Sequence, residues 1–315
     1  VSGLVWIKDR DATKNHNLFD SSRGIQKELR SNSSDEQFTN TDTLNRFLVG
    51  GCQIEDGTSV NNSGDSFVSW NWVGNSGTTS SNTEGSVTST VQANTTAGFS
   101  IVQYTGTGSA ATVGHGLSSA PKCVMTKSTS NDTGDGFTVY HQGLTSAAYY
   151  LNLAVSNAEA SASTVWNSTA PTNSVFSVGT ASGTNTNTYT YVAYCWSEID
   201  GFSKFGKYVG NGNADGSFVY TGFKPAFVMV KGATNTGSWV MMDSKRDPFN
   251  AGSELYLLAD TTDADAGGIK FDFLSNGFKC RDAATGLNAS GVTYIYMAFA
   301  EHPFVGDGTN PVTAR

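Results

Sequence analysis

The sequence predicts an all-β protein built from tandem antiparallel β-sandwich or jelly-roll repeats, and three observations predict it. Short runs rich in β-branched and aromatic residues alternate with turns of Gly, Asn, Asp, Ser and Pro. Helical periodicity is nearly missing, with RGIQKELR and SELYLLA as the only short candidates. Finally, the chain repeats itself at a spacing of about 103 residues, and a repeat identifies architecture before any local pattern does.

The repeat orders the elements. GFSIVQYTGTGSAATVGHGLSSAPKCVMTK (98–127) corresponds to GFSKFGKYVGNGNADGSFVYTGFKPAFVMVK (201–231), placing Tyr104 on Tyr208, Pro121 on Pro225 and Lys127 on Lys231. The two copies also close alike, with NTNTYTYVAYCWSE (185–198) on NASGVTYIYMAFAE (288–301). LVWIKDRDATKNHNLFDSSR (4–23) matches FVMVKGATNTGSWVMMDSKR (227–246), and VNNSGDSFVSWNW (60–72) matches LNASGVTYIYMAF (287–299), so the N-terminal part is a third, shorter copy. That copy lacks the opening segment from Gly-Phe-Ser to Pro, which another piece of chain is expected to supply, by strand exchange or from a longer polypeptide. The expected organisation is a partial repeat over 1–74 (copy one), a Ser/Thr-rich connector over 75–97, a full repeat over 98–200 (copy two) and a full repeat with a C-terminal tail over 201–315 (copy three). Within the connector, SVTSTVQ alternates as an added strand would. CVMTK, FTVYH, TYTYVAYCW, FVMVK, SWVMMD and TYIYMAFA are the predicted strands of the two full copies.

Composition narrows the function. Charged residues make up 15% of the chain, against roughly 25% in an average globular protein, so the surface is one of hydroxyls and amides. A net charge of −8 argues against nucleic acid, whose affinity rests on Lys and Arg displacing counterions. No apolar run approaches the ~20 residues that span a bilayer, so membrane insertion is not expected, and VSGLVWIKDRD lacks the layout of a signal peptide. With no initiating Met, the chain reads as a processed product or part of a longer polypeptide.

Several motifs invite a chemical reading. The Gly-x-Gly of YTGTG and YVGNG would need a following helix to hold a dinucleotide; here it runs into β and turn residues and reads as a tight turn. Each of Cys52, Cys123, Cys195 and Cys280 falls where a sibling copy has an apolar residue, which predicts buried thiols; disulfides remain open and nothing in the spacing suggests zinc. His115 lacks a histidine counterpart, and His141 stands where the other copies have Asp20 and Asp243. DTTDADAGG (260–268) faintly resembles a calcium loop but has Leu274 where the bidentate acid belongs. Asp20 with Arg23 and Asp243 with Arg246 form a repeated Asp-Ser-x-Arg, read first as an ion pair fixing a loop and second as a sugar or partner contact. Alternate aromatics, Trp70 with Trp72 and Tyr189 with Tyr191, face either the core or a carbohydrate. His115, His141, Asp20, Arg23, Asp243 and Arg246 are therefore the candidate partner or glycan contacts, with no catalytic, cofactor or metal residue assigned; a polysaccharide-degrading activity stays open, because paired carboxylates need only meet in space.

The segments LVWIKDRD…LFDSSRG, NTTAGFSIVQYTGTG…VGHGL…APK and YVAYCWSEIDGFSKFGKYVGNG…DGSFVYTGFKPAFVMVK resemble tandem laminin-G/concanavalin-like sandwich modules of marine tailed-phage virion and tail-fibre-like proteins, over residues 4 to 305. The resemblance implies a non-enzymatic virion structural or adhesive protein, with other virion proteins or a host surface glycan as partner, and by fibre analogy a homotrimer. A lectin-like domain and a bacterial surface, secreted or matrix protein are the alternatives.

Overall fold

A computed structural model describes residues 3–75, 77–247, 250, 254–269 and 271–300. Nearly all regular structure is antiparallel β, with three four-residue helices among the described residues. The chain is a β-sandwich protein, as its periodicity predicts.

Each copy is built on the same strands. A lysine strand (Gly3–Asp9, Cys123–Ser128, Pro225–Gly232) pairs on one side with a return strand (Asn17–Asp20, Thr138–His141, Val240–Asp243). On its other side lies a closing strand (Phe67–Val73, Thr190–Trp196, Thr293–Ala300). Register is kept across copies: Trp6 opposes Trp70, Met125 opposes Tyr194 and Met229 opposes Met297. In copies two and three an opening strand (Phe99–Thr105, Ser203–Val209) flanks the closing strand, with Tyr104 opposite Tyr191 and Tyr208 opposite Tyr294. Those tyrosine rings stack at 5.3 and 5.2 Å, each 15° from parallel, an arrangement worth about 0.5–1.5 kcal/mol beyond the area buried.

The three copies form two compact units. Unit 1 comprises Val1–Val155, Ala160–Ser197 and Asp260–Ala264, and so holds copies one and two together; unit 2 comprises Ser156–Glu159, Glu198–Ala259 and Asp265–Arg315. In unit 1 the connector supplies two strands, Ser80–Asn82 and Ser89–Asn94, one more than its alternation suggests, and they extend the copy-two sheet to eight strands. One face of this sheet packs Val102, Tyr104, Val124, Tyr191 and Cys195 against a two-stranded layer, Ala111–Gly114 with Val175–Val178. The opposite face meets the three-stranded sheet of copy one: Trp72 lies edge-on to Trp196 at 5.8 Å, and Ser22 accepts from the Gln103 amide at 2.9 Å. Beyond that sheet, Val5, Ile7, Phe19 and Leu44 form a small core under the hairpin Leu44–Leu48/Gly51–Ile54. In unit 2 the six-stranded sheet of copy three packs on a three-stranded layer, Phe218–Tyr220, Gly277–Cys280 and Phe271–Leu274.

Neither helix candidate is helical. RGIQKELR contributes the two-residue strand Lys27–Glu28, and residues 254–258 of SELYLLA form the strand Glu254–Leu258, paired on both sides. Each pattern is shorter than the length at which a helix holds without packing, and ladder hydrogen bonds prevail. All four cysteines are free thiols, three of them buried; burial raises the Cys123 thiol far above its usual range and pushes Cys280 up to about 11.

Candidate functional site

All six residues singled out in the sequence have buried side chains. Asp20 is the last residue of its return strand; its Oδ1 accepts the Ser22 and Arg23 N–H groups at 3.1 and 2.8 Å, turning the chain back on itself. Its Oδ2 pairs with Arg23 Nε, and Arg23 Nη2 donates to Leu18 O at 3.3 Å. Copy three repeats the device. Asp243 Oδ1 accepts from Lys245 and Arg246 at 3.1 and 2.9 Å, Oδ2 pairs with Arg246 Nε at 2.6 Å, and Nη2 donates to Met241 O at 3.0 Å. In copy two, His141 takes the same position, and its Nδ1 accepts the Gly143 N–H at 3.0 Å as the carboxylate does elsewhere. The substitution of His for Asp keeps the turn, and Leu144 stands where the other copies have the pairing arginine.

What surrounds the pair differs. In unit 1 the Tyr194 hydroxyl donates to Asp20 Oδ2 at 2.8 Å and lies 3.2 Å from Arg23 Nη2, tying copy one to copy two. Desolvation weakens the charge on Arg23, but Asp20 beside it more than offsets this and the guanidinium is held more strongly protonated than a free one. In unit 2 the second partner of Arg246 is Asp265, at 2.6 Å from Nη1. Asp265 belongs to the calcium-like stretch, and its carboxylate serves as this counter-ion.

His115 is fully buried, its Nδ1 accepting the Leu117 N–H at 3.0 Å and its Nε2 lying 3.1 Å from Thr172 O, so Nε2 carries the proton. Burial lowers its pKa below the usual histidine value. The aromatic pairs are core: Trp70, Trp72 and Tyr191 are buried, and Tyr189 packs against the copy-two core. His302 lies outside the described residues.

Two features escape a reading of the sequence. The first is an asparagine that clamps each Gly-x-Gly turn. Asn185 Oδ1 accepts the Thr107 N–H at 2.8 Å while its amide donates to Ser109 O and Gly179 O, both at 2.6 Å. Asn288 does the same for the Asn211 N–H, Asn213 O and Asp282 O at 3.0, 2.9 and 2.8 Å. Gly108 and Gly212, at φ +69° and +65°, need glycine for the turn. Equal spacing of the two asparagines in the repeat was the available signal.

The second is a groove of about 390 Å³ in unit 1, where Thr88, Thr90, Thr105, Thr129 and Thr190 face the Arg23 turn and Gln37. Register assembles it, since Thr105 opposes Thr190 and Gln103 opposes Thr90 across adjacent strands. Thr129 and Thr190 hydroxyls lie 2.8 Å apart, and Arg23 Nη1 donates to Gln37 Oε1 at 3.0 Å along the same wall. Among the described residues its lining offers hydroxyls, amides and one guanidinium, with no carboxylate. Such a set donates to and accepts from a neutral, hydroxyl-rich ligand, while the threonine methyls supply the apolar part of the contact. Neither a curated protein nor a solved structure matches the chain. The family whose model does match, over residues 2–303, is a domain of unknown function, DUF7483, and the chain belongs to that family.

Proposed function

We propose that this chain is a non-enzymatic structural and adhesive protein of a virion surface, of the tailed-phage kind its repeats resemble, and that it binds surface glycan through the threonine-lined groove of unit 1. One observation carries the reading: the repeated charged residues are hydrogen-bonded inside the scaffold, while the accessible groove presents hydroxyls and amides, with the Asp20-paired Arg23 guanidinium as its one charged group. A volume near 390 Å³ falls within the ordinary range of ligand pockets, about 300–1,000 Å³.

The test is a glycan array with the purified chain, followed by titration of any hit against Thr129→Val and Thr190→Val. Each replaces an exposed or half-buried hydroxyl by a methyl, and loss of one good hydrogen bond is expected to weaken binding about tenfold with an unchanged melting temperature. An array silent with and without calcium removes the adhesive part. Release of reducing ends from a bound polysaccharide overturns the non-enzymatic part. Mass spectrometry of purified phage particles that lacks this chain removes the virion assignment.

A further inference from the structure

The groove of unit 1 is built on a row of hydroxyls. Thr105 opposes Thr190 in the register of the opening and closing strands of copy two. The pairing of Phe99–Thr105 with Ser89–Asn94 sets Gln103 against Thr90, and continuing it by two residues brings Thr88 opposite Thr105. On the other side the Thr129 N–H bonds Thr190 O at 2.8 Å, and the two threonine hydroxyls meet at 2.8 Å. Thr88, Thr105, Thr190 and Thr129 therefore follow one another across four neighbouring segments, the first three exposed and the last half-buried. At about 4.8 Å from strand to strand the row is about 14 Å long.

The scaffold does not require this row. The matching positions of copy three are Val209, Thr293 and Ala233, in the same register: Val209 opposes Thr293, and the Ala233 N–H bonds Thr293 O at 2.8 Å. Val209 is exposed as Thr105 is, so neither residue is dictated by a core. The backbone is shared and one hydroxyl of three remains, so the row of copy two answers to something other than the fold. One side of it is walled. Two residues inward along the opening strand the Gln103 amide is bonded to Ser22 O and Oγ, and the Arg23 turn and Gln37 stand beside it. A ligand is thereby stopped from lying along the strands and must run across them. Among the described residues, no lining residue stands beyond Thr88 or Thr129 at the two ends of the row.

We infer that the groove binds an internal stretch of a linear, uncharged polysaccharide, laid across the strands along the threonine row; the inference rests on the glycan reading given above. Hydroxyls at a constant interval suit a ligand that itself repeats, and a row without an end wall admits a chain that continues past both ends. Each threonine donates, accepts and offers a methyl, as a sugar ring offers hydroxyls and C–H groups. The lining disfavours charged chains. Its one cation, Arg23, is 2% exposed, and its Nε, Nη1 and Nη2 donate to Asp20, Gln37 and Leu18 O within the protein. A uronate or sulfate group would give up hydration there without gaining a counter-ion. The net charge of −8 adds a general repulsion of anionic chains.

The experiment is titration calorimetry of the full chain with graded oligosaccharides of linear β-glucan, mannan and galactan, from monosaccharide to octasaccharide, and with alginate fragments as the anionic series. For the neutral series that binds, affinity should rise with each added sugar until the row is filled at about 14 Å and stay constant thereafter. Reduction of the octasaccharide's end to an alditol should leave its binding unchanged, and alginate should not bind. Thr105→Val and Thr129→Ala place in copy two the residues that copy three carries at the same backbone positions. Each should weaken binding about tenfold with the melting temperature unchanged. Full affinity for the monosaccharide, loss of binding on reduction of the chain end, tighter binding of alginate than of the neutral chains, or a neutral chain that binds both variants like the parent overturns the inference. Each of these results leaves glycan binding itself in place, whereas silence of every oligosaccharide and of alginate removes the glycan reading together with this inference.

Discussion

The closing strands of copy one and copy three align residue for residue, yet Thr293–Ala300 is buried along nearly its whole length and Phe67–Val73 alternates, with only Trp70 and Trp72 buried. The difference does not lie in hydrophobic pattern alone. Both strands pair with a lysine strand on one side, but Thr293–Ala300 has an opening strand on the other, and Phe67–Val73 is an edge among the described residues. Side chains of a strand point alternately to the two faces of its sheet, so its burial follows from what packs on each face: Tyr296 and Ala298 meet the layer that carries Phe271 and Phe278, whereas Ser69 and Asn71 are exposed.

The lysines carry the same lesson. Lys8 and Lys231 are buried at equivalent places and each reaches the carbonyls one and four residues on: Asp9 O and Ala12 O at 2.5 and 3.3 Å, Gly232 O and Asn235 O at 2.6 and 3.5 Å; Lys231 also donates to Ser156 O of copy two at 3.3 Å. Lys127 occupies the same position in copy two but reaches across to copy one, bonding Ser33 O and, at 3.3 Å, Arg30 O. Desolvation pushes its pKa down to about 8. One residue type in one register thus serves its own loop, as Lys8 does, the neighbouring copy, as Lys127 does, or both, as Lys231 does.

The largest way to break this comparison is to remove a guanidinium. Arg246→Ala leaves Asp243 buried without its main cation and should cost unit 2 about 3–5 kcal/mol, read by calorimetric unfolding; Arg23→Ala should cost unit 1 a similar amount and also loosen copy one from copy two by removing a neighbour of Tyr194. Equal stability of either variant with the parent would show the pairs to be ornamental. Next in size is the clamp. Asn288→Ala removes a buried side chain that bonds the Asn211 N–H and the Asn213 and Asp282 carbonyls and should cost about 1–3 kcal/mol, whereas Asn61→Ala, exposed, should change stability by no more than about 0.5 kcal/mol. Comparable losses in denaturant unfolding would mean that Asn61 holds a turn as Asn288 does.

The smallest effect is a pH dependence. Below pH 8 Lys127 is charged in both the folded and unfolded chain and its burial opposes folding in full. From about 8 up toward its ordinary value of 10.5 the folded state releases the proton first, so the contribution of this residue to stability rises with pH. Melting temperatures measured between pH 7.5 and 9.5 should therefore climb more, or fall less, in the parent than in Lys127→Met; parallel curves would rule the burial cost out.

Much of the architecture was legible because it rests on local chemistry repeated from copy to copy. β-branched and aromatic runs, the Gly-x-Gly turns and the Asp-Ser-x-Arg pairs each produce the same strand end or turn wherever they occur. His141 was legible as an exception, but not as the residue that keeps the turn through Nδ1. RGIQKELR misled because its few apolar positions suit a helix or an edge strand equally, and pairing of Lys27–Glu28 with Phe38–Thr39 decides between them. The threonine groove was illegible, since its residues come from three strands, the ends of neighbouring segments and the Arg23 turn, and only register places them side by side.

By itself, then, the sequence determined the fold class, the three editions of the module and the residues each edition keeps, because backbone propensity and turn geometry act over a few residues. Only the tertiary structure decided that copies one and two share a unit, and that Arg23 lies beneath Tyr194 while Arg246 turns to Asp265. Those outcomes depend on burial and on contacts between residues up to 174 positions apart, and no local pattern encodes which distant surface a strand will meet.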